Sequence, residues 1–295
     1  GAVAFRTRFD CTPEGIVSFG EKYVNREDEL ALETTTHSLA VAQFLKPYAK
    51  RVVISNPNKT KLIASATAKT DAVDAKTLAN LLRSGYLPEV WQPGPEIESL
   101  RELVTFRGAL TNTRTRYRNR IRSILQQLMM EVPARALEAV TTRNALAAAD
   151  LPPEERLQID SLYRLMDETQ TAIDEVDDQL AVTAESTPEI KLLMTLPGVG
   201  MLAACALYAA IGDISRFPSS SCLVGYLGLA PRVKQSGGHT WYGSITKSGS
   251  KQARKFMVLA AHHVKHHPGP LGSFYRRLKS RKHGSLAAVA TARKM

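Results

Sequence analysis

No aspartate or glutamate occurs between Ile214 and Met295. Fifteen lysines and arginines crowd that stretch, against a formal charge of +11 for all 295 residues, so residues 1–213 sum to −4. A folded region of one sign repels itself unless an anion lies against it, and nucleic-acid phosphate is the expected partner. Carboxylate chemistry is thereby confined to the first 213 residues. Cysteine is scarce as well: Cys11, Cys205 and Cys222 stand alone, without the CxxC spacing of a zinc site or the density of a disulfide framework. No apolar run approaches about 18 residues and no signal-peptide core is visible, which predicts a soluble cytoplasmic protein without a membrane partner. A single basic amphipathic helix, as an anionic membrane surface would favour, is also missing.

What is present divides the chain in three. Residues 1–95 alternate strand and helix patterns: an apolar period-two run at Gly1–Phe9, a helix opening at Thr12-Pro13-Glu14, and short strands at Glu29–Glu33 and Arg51–Asn56. Such alternation predicts an α/β sheet. From 96 to 188 strand signals vanish, glycine stops after Gly108, and apolar residues recur at three and four. Two long helices broken at Pro133 and at Pro152-Pro153 are predicted, forming a coiled-coil arm. The first carries a row of arginines including Arg114, Arg118 and Arg122, and the second is acidic. Pairing between the helices and contact with nucleic acid are both open readings of that row. Residues 189–295 form a mainly helical basic domain. Its "LPGVG" (Leu196–Gly200) reads as a helix-hairpin-helix turn, in which Gly198 and Gly200 let backbone N–H groups face a phosphate. "RVKQSGGHTWYGSITKSGS" (Arg232–Ser250) reads as a Gly/Ser-rich basic loop, before a helix that carries Lys251, Arg254 and Lys255.

Three places offer chemistry. In "KTDAVDAKTL", Asp71 and Asp74 sit three apart at a helix start; the stretch reads as a helix capped by Thr70 or Asp71, or as two carboxylates on one face that hold a divalent metal. Glu33 ends a strand. A carboxylate there, with two more at a helix start beyond the next strand, is the layout of an RNase-H-like nuclease binding two metal ions. Ser236 lies in "KQSGGHT" beside Lys234, either in a flexible turn or as a nucleophile, which would need a base or a metal to activate it. His262, His263, His266 and His267 lack acid or cysteine companions and read as a basic helix face. Asp10 reads as a turn residue.

The blocks "ALETTTHSL", "KTDAVDAKTLANLL" and "GYLPEVW", followed by "TLPGVG", "GYLGLAPR", "QSGG" and "FYRRL", resemble in order the DEDD-type insertion-sequence transposases, the bridge-RNA-guided recombinases. The likeness runs through nearly the whole chain. It implies a RuvC-like α/β domain (1–95), a coiled-coil arm (96–188) and a C-terminal transposase domain (189–295). It further implies Mg²⁺, a guide RNA, target and donor DNA duplexes, and a dimer or tetramer. Glu33, Asp71 and Asp74 match three of that family's four acids, and Ser236 matches the serine that becomes joined to DNA. Arg114, Arg118, Arg122, Gly198, Gly200, Arg232, Lys234, Lys247, Lys251, Arg254 and Lys255 are the expected nucleic-acid contacts. The fourth acid has no match; Asp10 follows the wrong strand, and the family's first strand and last helix are expected beyond the two ends of this sequence. Competing expectations are a junction-resolving nuclease that uses water, leaving Ser236 structural, and a non-catalytic nucleic-acid scaffold.

Overall fold

A computed structural model describes residues 5–63, 70–133 and 135–295. Two compact units emerge, Gly1–Pro93 and Gly94–Met295. In the first, the Thr12 side chain accepts from the Gly15 N–H and so starts α1 (Pro13–Tyr23), whose first-turn Pro13 needs no N–H partner. β1 (Glu29–Glu33) and β2 (Arg51–Ser55) pair in parallel, Glu33 standing opposite Ser55. A parallel pair requires a crossover, which α2 (Ser38–Leu45) supplies. Ile16, Ala42, Leu45, Val52 and Ile54 bury one face of this arrangement. A short helix not foreseen in the sequence, α3 (Pro57–Ile63), follows, and α4 (Asp71–Arg83) packs against β1.

The strand expected at Gly1–Phe9 does not form over its described part. Residues 1–4 lie outside the described chain, and residues 5–10 are irregular. Their rings rest against α1 instead while staying exposed: Phe9 stacks on Phe19 at 4.4 Å between centroids, and Phe5 meets Tyr23 at 5.2 Å. Among the described residues the unit thus holds one two-stranded parallel sheet. That is compatible with a RuvC-like domain, though thinner than the sequence pattern suggested.

The second unit is helical apart from one hairpin. α5 (Pro95–Gln127) and α7 (Pro153–Ser186) run antiparallel. Leu100 and Val104 near the start of α5 share a cluster with Leu180 and Ala184 near the end of α7. Ile121 and Leu125 at the other end meet Ile159 and Met166. Between them lies α6 (Val140–Ala148). α8 (Pro188–Met194) leads into α9 (Met201–Ile211), which is apolar on all sides and correspondingly buried, with Ala204, Cys205 and Leu207 in the core. A 3₁₀ turn (Ile214–Arg216) and α10 (Ser220–Tyr226) come next. α11 (Lys251–Val264), α12 (Pro270–Lys279) and α13 (Gly284–Lys294) close the unit.

The stretch expected to be a basic loop contains a β-hairpin. β3 (Pro231–Ser236) and β4 (His239–Ile245) pair antiparallel through a two-residue turn. Gly237 and Gly238 have φ of +56° and +80°, the left-handed pair that a type I′ hairpin turn demands. Counting glycine and serine concealed Val233, Thr240, Trp241, Tyr242 and Ile245, strand formers on either side of that turn. No helix among the described residues is long and apolar enough to cross a membrane.

Candidate active site

Thr70 caps α4, its side-chain oxygen accepting from the Val73 N–H. The cap leaves Asp71 and Asp74 free to point outward from the first turn, where the helix dipole favours negative charge. Because α4 packs on β1, these two carboxylates share a depression with Glu33, the last residue of β1. All three line one open depression of about 1000 Å³, with Leu30, Leu78 and Leu82. Glu29, which sequence reading passed over, lines it too, two residues before Ala31 on the same side of β1 as Glu33. Glu33 and Asp71 are exposed and Asp74 is partly covered.

Among the described residues none of the three carboxylates is in an ion pair. Arg51, on the rim, is engaged by Glu89 at 2.5 Å. Arg83 lines the depression as well, without an ion pair to any of the three acids among the described residues; oxygen donors of one sign left unpaired in this way are the chemistry of a hard divalent ion. They are not drawn together tightly, however: among the described residues no three His, Cys, Asp or Glu side chains form a group that could hold a metal. The donor set therefore suits such an ion in kind, without a preformed cage.

Ser236 ends β3 at the tip of the hairpin and is exposed. Its cross-strand partner is His239, and Lys234 pairs with Trp241 one alternation further down. Neither His239 nor Trp241 was singled out in the sequence; the available signal was period-two spacing across the Gly-Gly turn. The expected basic contacts separate into two groups. Arg232, Lys234, Lys247, Lys251 and Lys255 are exposed, the last two one turn apart on α11. Arg254, by contrast, donates to the Ser248 carbonyl at 2.8 Å and to that of Leu227 at 3.2 Å, so it braces the loop after β4.

The arm arginines divide in the same way. Arg114 is paired with Glu138 at 2.7 Å and Arg118 lies 3.6 Å from the same carboxylate, whereas Arg122 is exposed. Arg107 and Asp177 bridge α5 and α7 through two hydrogen bonds of 2.7 and 2.9 Å. Leu196–Gly200 forms a tight turn between α8 and α9, lining a notch of about 560 Å³ with His263 and His267. A side chain on Gly198 would strike the Ala260 carbonyl at 2.6 Å, while one on Gly200 would meet open space.

Residues 190–276 match the family model described as transposase, IS116/IS110/IS902 family, and residues 1–130 match the model of IS110-type DEDD transposases. The chain is 28% identical over 259 residues to the transposase for insertion sequence element IS1111A of Coxiella burnetii, covering 85% of this chain and 67% of the relative. It is 29% identical over 195 residues to a putative transposase of Sinorhizobium fredii, across 65% of this chain and 47% of that one. A shorter match, 39% over 95 residues and 30% of each chain, is to the pilin gene-inverting protein of Moraxella bovis. The matched stretch spans about half to two thirds of the length of the first two relatives.

Proposed function

We infer that the chain belongs to the IS116/IS110/IS902 family of transposases, from the matches at residues 1–130 and 190–276, and that it cuts and rejoins the DNA of an insertion sequence through two sets of residues, the carboxylates of the first unit and the serine of the second. The observation that carries this reading is the arrival of Glu33, Asp71 and Asp74, from a strand end and a helix start, on one depression. Those three would hold Mg²⁺, which when bound supplies positive charge to a phosphodiester in reaction. The exposed lysines on and below the hairpin would hold the DNA backbone by charge alone.

Ser236 is the nucleophile in this reading. Its Oγ bonds to phosphorus as the bond to one sugar oxygen breaks; the hydroxyl proton leaves to solvent or a neighbouring base, and the departing sugar oxygen takes up a proton. The energy of the phosphodiester is kept in the serine ester, so a second sugar hydroxyl can reverse the exchange and join new strands without any other energy source. A hydrolytic nuclease would lose that ester to water and could not rejoin. Guidance by a bridge RNA, with target and donor duplexes both bound, and assembly as a dimer or tetramer rest on the family resemblance alone.

The test is a denaturing gel of protein incubated with labelled element-end DNA and Mg²⁺. A covalent adduct is expected in the parent protein and absent from Ser236→Ala. Strand cleavage without an adduct in the parent protein would replace recombination with the resolvase reading. RNA that co-purifies and matches DNA beside the gene is the expected sign of guidance; its consistent absence from active protein would remove that element.

A further inference from the structure

We propose that Trp241 is a stacking shelf for an unpaired nucleotide of the DNA strand held at Ser236. The inference rests on the reading of Ser236 given above and adds a residue that positions the strand. Side chains alternate between the two sides of a hairpin, and directly opposed residues share a side. The pairs Ser236/His239 and Lys234/Trp241 are therefore on one side, and Gln235/Thr240 and Val233/Tyr242 on the other. Trp241 is then the diagonal neighbour of Ser236, about 7 Å away backbone to backbone, which is roughly the reach from a base to its own phosphate.

The ring is held in a defined attitude. A Cβ built on Gly243 would stand 2.7 Å from the outer edge of the indole and 3.6 Å from the Arg232 Cβ, so the ring edge rests in the space that this glycine leaves. The Lys234 amine sits 6.0 Å from the ring centroid. Even so, 60% of the tryptophan remains exposed. A large ring seated by its edge, open to solvent and flanked by Arg232 and Lys234 without a carboxylate anywhere from Ile214 onward, suits a base stacked on its face with phosphates on either side. A paired base has both faces occupied by its neighbours, so the occupant is an unstacked nucleotide, the state that strand cutting and exchange create.

The experiment follows tryptophan fluorescence in a Trp91→Phe background, Trp91 and Trp241 being the two tryptophans of the chain. An oligodeoxythymidine of about a dozen nucleotides is titrated in, and a duplex of the same length serves as comparison. The oligonucleotide is expected to quench Trp241. By anisotropy of dye-labelled strands, which needs no tryptophan in the protein, Trp241→Leu should weaken single-strand binding about tenfold while changing duplex binding less than about twofold. Trp241→Phe should keep most of the affinity, and Gly243→Ala, which pushes the ring off its seat, should lose part of it. Wild-type single-strand affinity in Trp241→Leu would overturn the proposal, as would equal losses for single strand and duplex. Dependence on Trp241 for oligouridine but not for oligodeoxythymidine would overturn the DNA assignment. Ser236→Ala should quench as the parent does. The serine itself is judged by the adduct and the shelf by this titration, so each can fail without the other.

Discussion

Glu33, Asp71 and Asp74 face a shared depression and, among the described residues, none of them is in an ion pair with Arg51 or Arg83 in its lining. Like charges so placed repel, and a bound divalent ion removes that cost. Glu33→Gln, Asp71→Asn and Asp74→Asn are each expected to lower the strand-cleavage rate about a thousandfold, as loss of several kcal/mol of transition-state stabilisation requires. Duplex affinity should stay within about twofold, since it comes from phosphate contacts elsewhere. Added Mg²⁺ should raise the melting temperature of the parent protein and leave Asp71→Asn/Asp74→Asn unmoved; an equal rise in both would place the ion somewhere else. The cysteines give a residue-scale check on the fold. Burial pushes the Cys205 thiol up to about 11, whereas Cys11 and Cys222 are exposed. Iodoacetamide at neutral pH should label two cysteines in the native protein and three in denaturant, read by mass spectrometry.

Among the elements, the turn between α8 and α9 separates two uses of glycine. Gly198 has φ of +83° and abuts the Ala260 backbone of α11, so Gly198→Ala should cost about 1–3 kcal/mol of stability, measured by urea unfolding. Gly200 precedes α9 with open space beside it; Gly200→Ala should fold normally, and any change it makes in DNA affinity reports the turn's contact with phosphate. Between α6 and α7, hydrogen bonds from the Arg143 guanidinium hold the Asp167 carboxyl below its usual range. A lowered folded-state pKa contributes stability above the ordinary carboxylate pKa and loses it as pH falls through the lowered value. Asp167 is largely exposed, so Asp167→Asn should cost less than about 1 kcal/mol at neutral pH. The difference from the parent protein should shrink to nothing in acid, in parallel unfolding curves at the two pH values.

At the scale of the whole chain, charge is distributed by region, and the basic half should govern non-specific affinity. Replacing Lys247, Lys251 and Lys255 with glutamine should flatten the slope of log K against log salt by up to about 3, or roughly 0.9 for each phosphate no longer neutralised. An unchanged slope would mean that these lysines face solvent. Arg254 is left out of that set because its guanidinium is committed to the Leu227 and Ser248 carbonyls; its replacement should lower stability as well as affinity.

Much of this was legible in the sequence, because it depends on neighbours a few residues away. Proline positions and three-four periodicity marked α5 and α7, Thr70 marked the cap of α4, and the missing carboxylates marked the basic half. Carboxylates at a strand end and at a helix start, in the family's order, pointed to the acidic site from their positions along the chain. Other features depend on contacts between distant residues, to which local composition is blind. Phe5 and Phe9 read as strand, but their rings pair with Tyr23 and Phe19 of α1. The row with Arg114 and Arg118 read equally as ion pairs or as ligands for phosphate, and only the fold shows Glu138 beside both; Arg254 read as a ligand for phosphate, and the fold places two backbone carbonyls on its guanidinium. The serine loop became a hairpin because each strand found its partner across two glycines. Sequence alone thus determined which residue types and elements are present. The tertiary structure decided which of their charges and rings are consumed internally and which stay open, since burial and pairing are properties of the packed chain.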